Sequence, residues 1–266
     1  MKVAAVFDSS GTLISIRRII KDINSQKFIC NCQTVDIVDE KKGRALIIIK
    51  EGLPEIIENQ DPDTLISDFL SKVDWGVSYC NPPIDRNGVF KDKTTKIKEL
   101  QDPLNVMKRF EIQTGYGSAV IADTLNGQVE YTVATGGCIF PEVPETVRRL
   151  KEMGVKVFVA SGDSKNFIER ISELVGINKK YIMPEAHHEL KKDLVLNLKK
   201  EGYKVVMIGD ASNDVPAMVE SDLSIVTLQN GNVSKKALEV ADIKVDNILE
   251  VVDIVDKFIK NEKRKE

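Results

Sequence analysis

VMIGDASNDVPAM, residues 206–218, decides how this chain is read. A short apolar run from Val206 to Ile208 ends at Gly209. Asp210, Asn213 and Asp214 follow, and Pro216 stands just inside a helix start. VFDSSGTL, residues 6–13, repeats the plan, with Asp8 directly after an apolar run and Gly11 permitting a sharp turn. Both stretches put aspartates where a strand of a parallel sheet ends. Open α/β sheets place their ligands outside the carboxyl ends of the strands. Two acidic loops delivered to that edge make an oxygen-rich pocket, suited to Mg²⁺ and, through it, to a phosphate.

Around these stretches the C-terminal half alternates strands and helices. Strands are expected at 155–160, 203–210, 223–228 and 243–245. The helix at 164–176 turns Phe167, Ile168, Ile171, Leu174 and Val175 inward. The helix at 190–202 turns Leu190, Leu194, Val195 and Leu198 inward. Further helices follow at 144–154, 214–222, 233–242 and 248–260. This is the pattern of a doubly wound parallel sheet, a Rossmann-like α/β core. KVAAVFD (2–8) supplies its first strand, after which the alternation stops. IRRIIKDI (16–23), KFICNCQTVDIV (27–38) and RALIIIK (44–50) read as antiparallel strands, with a turn at 39–43. PDTLISDFLSKV (62–73) reads as a helix with Asp61 as N-cap and Pro62 first. Leu125-Asn126-Gly127-Gln128 reads as a tight hairpin turn. The expectation is a core of residues 1–15 plus 138–266 and an inserted α+β cap of residues 16–137. An insertion after the first core strand would hang over the carboxyl edge of the sheet as a lid.

Of the 266 residues, 42% are hydrophobic and 30% charged, with a net charge of −3, so a sizeable core is available. That balance predicts neither nucleic acid nor an anionic membrane as a partner. Asp8 comes too early for a signal peptide, and no apolar run approaches spanning length, which predicts a soluble, cytoplasmic protein. The basic tail from Lys257 reads as a helix end. Cys30, Cys32, Cys80 and Cys138 do not suggest a disulfide framework. Cys30 and Cys32 alternate on the expected strand 27–38, and a four-cysteine zinc site competes with buried or half-buried thiols.

The candidate site residues follow from the strand ends. Asp8 is a carboxylate held beside small residues, able to approach an electrophile. Ser9, Ser10, Gly11 and Thr12 offer N–H groups and hydroxyls to phosphate oxygens; an Asp-initiated turn is the plain alternative. Ser161 and Gly162 follow strand 155–160 at a helix start, which suits an anion, although Ser161 or Asp163 can also simply cap that helix. Lys191 is placed to neutralise a carboxylate and an incoming phosphate. Asp210 and Asp214, four apart with Asn213 between them, can share one metal.

Together and in this order these motifs resemble the haloacid dehalogenase superfamily, in its P-type-ATPase-like branch, and most of all the soluble archaeal members of that branch. Asp8-Ser9-Ser10-Gly11-Thr12 is similar to DxDGT with Ser10 in place of the second aspartate, as in the pumps' DKTGT. Ser161-Gly162-Asp163 resembles TGD, Lys191 with Val195 and Leu198 resembles KxxxVxxL, and GDASNDVPAM resembles GDGxNDAPAL. The resemblance implies a Mg²⁺-dependent phosphohydrolase or ATPase with Asp8 as nucleophile. It implies Ser161 and Lys191 on the transferred phosphoryl group, and Mg²⁺ on Asp8, the Ser10 carbonyl and Asp210, with Asp214 and Asn213 supporting. Its substrate would be ATP or a phosphorylated small molecule. Other readings are a nucleotide- or phosphate-binding regulatory module, or a subunit of a split membrane pump.

Lys42-Gly43-Arg44-Ala45 and Gly115-Tyr116-Gly117 are faint echoes of the pumps' nucleotide signals; for the second, a strand-entry turn is the favoured reading. Trp75, Tyr79 and Tyr116 can stack on a base or pack in a core. His187 and His188, being adjacent, are not expected to share a metal.

Overall fold

A computed structural model describes all residues except 31, 51–53, 164, 232 and 265–266. The chain divides into two compact units, one of Met1–Ser15 with Ile139–Glu266 and one of Ile16–Cys138. In chain order it runs β1 (Lys2–Phe7), β2 (Ile14–Asp22), β3 (Lys27–Cys30), α1 (Thr34–Asp39), β4 (Arg44–Ile49), α2 (Pro54–Glu58), α3 (Ile66–Leu70) and β5 (Trp75–Cys80). It continues through α4 (Lys98–Met107), β6 (Tyr116–Asp123), β7 (Gln128–Ile139), α5 (Val143–Glu152), β8 (Lys156–Ala160), α6 (Lys165–Leu174) and β9 (Ile182–Met183). Last come α7 (His188–Lys200), β10 (Tyr203–Gly209), α8 (Val215–Glu220), β11 (Leu223–Thr227), α9 (Lys235–Val240), β12 (Ile243–Val245) and α10 (Glu250–Lys263).

The discontinuous unit is α/β. Its sheet has the order β12-β11-β10-β1-β8-β9, and every neighbouring pair is parallel. Successive strands of this unit spread outward from β1 in both directions, so the order reverses between β1 and β10, the switch point at which such sheets bind ligands. The strands are buried on both faces and accordingly read as near-continuous apolar runs. Ala4, Val6, Val205, Met207 and Val226 form one face with Val195 and Leu198 of α7, Ala217 and Met218 of α8, and Ala237 of α9. Apart from that cluster, α5 packs on β8 and on α10. Two residues expected to face inward do not: Leu174 is 51% exposed and Leu190 38% exposed. The apolar stripes of α6 and α7 are therefore narrower than their spacing suggested. Ser164, the expected start of the first of these helices, lies outside the described residues.

The inserted unit is α+β. Its sheet has the order β3-β2-β7-β6-β4-β5, and the pairs β2–β3, β4–β5, β4–β6 and β6–β7 run antiparallel. Ile47, Ile49, Val120 and Ala122 meet α2, α3 and α4 on one face. On the alternate face Leu46, Ile121 and Val133 meet Ile37 and Val38. Those last two residues correct the sequence reading. The expected strand 27–38 ends at Cys30, and Thr34–Asp39 is a helix. The β-branched run suggested a strand, but Thr34, Ile37 and Val38 have the i, i+3, i+4 spacing of a helix face, and burying that face decides the matter. Cys30 and Cys32 therefore do not share one strand, Asn31 lies outside the described residues, and all four cysteines are free.

The helix expected from Pro62 begins only at Ile66. Leu65 bridges Lys96, Ile66 donates to Thr95, and Ile97 donates to Thr64, so these residues are extended. Asp61 closes a turn with Thr64 and Asp63 rather than capping the helix. The hairpin between β6 and β7 turns one residue earlier than expected, because the Asp123 carboxylate accepts the N–H groups of Leu125 and Asn126. Among the described residues no helix is long and apolar enough to cross a membrane.

Candidate active site

Three parallel strands deliver the site. Asp8 follows β1, Ser161 follows β8 and Asp210 follows β10. Lys191 comes from the first turn of α7, whose Val195 and Leu198 anchor it to the sheet. Asp8, Asp210 and Asp214 each place a carboxylate oxygen within 4.8 Å of the others, and all three are buried. Lys191 is fully buried between them. Its Nζ donates to Asp8 Oδ1 at 2.5 Å and to Asp214 Oδ1 at 2.7 Å.

The charges do not balance. Burial, then repulsion from Asp8 and Asp214, pushes the Asp210 carboxyl up to about 8. Burial also raises Asp8, with Lys191 opposing and Asp214 and Asp163 adding to the rise. Burial works against the Lys191 ammonium, but its two carboxylate partners win and raise it. Three buried acids share one lysine, so ionising all of them would leave excess negative charge, which a divalent cation would neutralise. The oxygens also suit a hard cation. Asp8 Oδ2 and the Ser10 carbonyl accept no hydrogen bond among the described residues, and Asp210 takes only one long bond, from Thr12 at 3.4 Å. Asp214 is more committed. Its Oδ2 accepts the N–H groups of Asp210 and Ala211, while its Oδ1 holds Lys191.

Glycines allow this crowding. A Cβ on Gly11, where φ is +88°, would lie 1.9 Å from Asp210 Oδ2, and one on Gly209 would lie 2.4 Å from Asp214 Oδ2. The loop after Asp8 is wound tightly. The Ser9 carbonyl accepts from Thr12, Leu13 and Ile14, and Gly11 N–H donates to the Ile14 carbonyl. The N–H groups of Gly11 and Thr12, two of the expected phosphate donors, are thus engaged inside the turn. Gly162 is exposed beside buried Ser161, and Asn213 is exposed in the turn before α8, with no described hydrogen bond reaching it.

Two further residues belong to this arrangement. Asp163, read from sequence only as a cap or a motif member, gathers the hydroxyls of Ser9, Ser10 and Ser161. Gln229, just past β11, donates Nε2 to the Thr12 carbonyl at 2.6 Å and accepts the N–H of Ile248, tying the loop after Asp8 to the segment before α10. No sequence signal singles out that glutamine.

The remaining candidates have local roles. Gly115 takes φ +93°, and a Cβ on Gly117 would meet Thr135 Oγ1 at 2.5 Å, so strand entry and cross-strand crowding account for both glycines. Arg44 is buried, pairing with Glu130 and donating to the Ile37 carbonyl. Trp75 packs edge-on against Phe90, and the Tyr79 hydroxyl donates to Asp39. Among the described residues the only metal-like group is the aspartate trio, with no cysteine or histidine in it.

Residues 3–222 match the family model described as a haloacid dehalogenase-like hydrolase. The chain is 63% identical over 262 residues, covering 98% of this chain and 96% of the relative, to a protein of Methanocaldococcus jannaschii named a soluble P-type ATPase-like phosphatase. It is 24% identical over 264 residues to a copper-transporting ATPase of Helicobacter pylori, covering 96% of this chain but 34% of that protein, so it spans about a third of the pump. Among solved structures, the catalytic domain of the CPx-ATPase CopB-B aligns over 96% of this chain and 88% of that one, at 15% identity and a TM-score of 0.50. That likeness speaks to the fold alone.

Proposed function

This chain belongs to the haloacid dehalogenase-like hydrolases, and from that premise we propose that it is a Mg²⁺-dependent phosphohydrolase that works through an aspartyl phosphate on Asp8. ATP or another activated phosphate is its substrate. One observation supports the reading: Lys191 holds Oδ1 of an Asp8 carboxylate that is grouped with Asp210 and Asp214, and Oδ2 accepts no hydrogen bond among the described residues.

In the first step Asp8 Oδ2 attacks phosphorus in line, and the leaving oxygen departs with the bonding pair. Lys191, held protonated by its partners, keeps its charge beside the phosphoryl oxygens. In the second step water attacks phosphorus, and Asp8 leaves as a carboxylate. Asp8, Asp210 and the Ser10 carbonyl would hold Mg²⁺, with Asp214 setting Lys191. The ion would supply charge neutralisation for the phosphoryl group. The same reading places the protein in the cytoplasm, in line with a relative whose name calls it soluble.

Serine at position 10 narrows the substrate. A positioned acid or base is worth about 10²–10⁴-fold, and Ser10 cannot serve as one near neutral pH. Leaving groups that need no proton are favoured: a nucleoside diphosphate, the carboxylate of an acyl phosphate or an activated phenol. Turnover is expected to be slow and the phosphoenzyme long-lived. With Mg²⁺ and γ-labelled ATP, acid-stable label on Asp8 and released phosphate are the expected results. Asp8→Asn should lower phosphate release by at least about 10³-fold; undiminished release from pure variant sinks the mechanism. The absence of an acid or base at Ser10 also favours a second reading, a nucleotide- or phosphate-binding regulatory module. Micromolar nucleotide binding with no phosphoprotein would select it.

A further inference from the structure

Ser9, Ser10 and Ser161 have one hydroxyl proton each, and Asp163 draws on all three. Its Oδ2 lies 2.7 Å from Ser9 Oγ, 3.0 Å from Ser10 Oγ and 2.8 Å from Ser161 Oγ. Ser9 Oγ and Ser161 Oγ are themselves 2.6 Å apart, so a proton shared between them also stays inside the cluster. A hydroxyl donates once, and Ser9 and Ser161 are buried away from water. No hydroxyl proton is left over for an incoming ligand. The carboxylate that holds them has no ion-pair partner among the described residues, the nearby lysine being committed to Asp8 and Asp214.

This inference rests on the proposed binding of a phosphoryl group beside these serines. Phosphoryl oxygens are acceptors and need the same protons. We infer that Asp163 is the specificity-determining residue of the pocket: its carboxylate competes with the entering oxyanion for the serine hydroxyls, and the oxyanion is admitted only when it draws at least one of them away. The N–H groups of Ser9, Ser10 and Gly162, which take no part in the described hydrogen bonds, remain as uncontested donors. Competition of this kind selects by acceptor strength. A doubly charged tetrahedral oxyanion offsets the exchanged charge-assisted bonds, whereas a singly charged weak acceptor such as nitrate does not.

The test uses the full chain, inorganic phosphate with Mg²⁺, and titration calorimetry. Asp163→Asn should bind phosphate about tenfold tighter, the equivalent of one charge-assisted hydrogen bond no longer exchanged, and its preference for phosphate over nitrate should shrink. Ser161→Ala should bind phosphate weaker by a similar factor. Adding Asp163→Asn to a variant with alanine at Ser9, Ser10 and Ser161 together should then recover little, because every hydroxyl that the first change releases is gone. Equal or weaker phosphate binding by Asp163→Asn overturns the inference. So does a full gain in the background that lacks all three serine hydroxyls, which would mean that removed charge, not released donors, tightened binding. Asp163→Ala, with folding checked by circular dichroism, gives the same answer should the asparagine variant not fold. Wild-type protein that binds phosphate while neither Asp163 variant tightens it defeats this inference alone. Wild-type protein that binds no phosphate, with Asp8→Asn still turning over, defeats the functional reading as well.

Discussion

Asp92 of the inserted unit and Asp210 of the discontinuous one are equally hidden, at 3% and 4% exposure, and are treated in opposite ways. Asp92 accepts the N–H groups of Thr94, Thr95 and Val129 and two threonine hydroxyls. Burial would raise its carboxyl, but these donors outweigh burial and lower it. Asp210 has one long hydroxyl bond and two acidic neighbours, and it is raised instead. Asp123 and Glu130 follow Asp92, each meeting Lys41, and Glu130 meeting Arg44 as well. Buried charge that is fully met by donors holds a fold together. A buried acid left unmet costs stability whenever it ionises, which is the pattern of a functional-site candidate.

The contrast can be broken at several points. Lys191→Met strips two buried carboxylates of the cation they pair with among the described residues and should cost about 3–5 kcal/mol at neutral pH; a urea titration that finds no loss would mean the lysine is not the counter-charge. Asp92→Ala orphans three backbone donors and should cost about 3 kcal/mol in the same measurement, without touching phosphate release in the folded fraction. Acid should find the inserted unit through Asp123. Burial opposes the shift, but Lys41 and Asn126 hold its carboxyl near 2, against an ordinary 3.8. The unfolded chain therefore takes up the proton first. Up to about 2 kcal/mol of stability, present above pH 4, should fade as pH falls from about 4 to 2.

Asp210 should behave with the reverse sign. Its raised carboxyl means that the folded, metal-free protein holds a proton that the unfolded chain releases between 3.8 and about 8. Stability should fall as pH rises through that window, and Mg²⁺ should flatten the slope. At pH 9 without metal, Asp210→Asn should melt later than wild type, by the equivalent of about 1 kcal/mol, and lose the stabilisation by Mg²⁺. An earlier melt would place Asp210 with Asp92.

What sequence revealed divides along the same line. Strand ends followed by Asp8, Ser161 and Asp210 were legible because the parallel sheet imposes apolar runs and delivers whatever follows them to one edge. The i, i+3, i+4 face of Thr34, Ile37 and Val38 was hidden by β-branched residues that also suit a strand. The late start of α3 depends on pairing with Lys96, thirty residues away, which no local pattern carries. Asp163 and Gln229 reach the loop after Asp8 from across the sheet edge, so their parts depend on packing and not on any neighbouring residue. GYG was legible as a strand-entry turn rather than a ligand loop, and in the fold those positions answer to strand entry and crowding.

The seclusion of Lys191 has a practical consequence. The chain is rich in surface lysines that an acylating reagent would modify within moments, yet the amine of Lys191 has no exposed surface. Its modification, followed by peptide mass spectrometry, is a clock for the opening of the sheet edge, and any small molecule that settles among the three aspartates should slow that clock whether or not it is ever turned over.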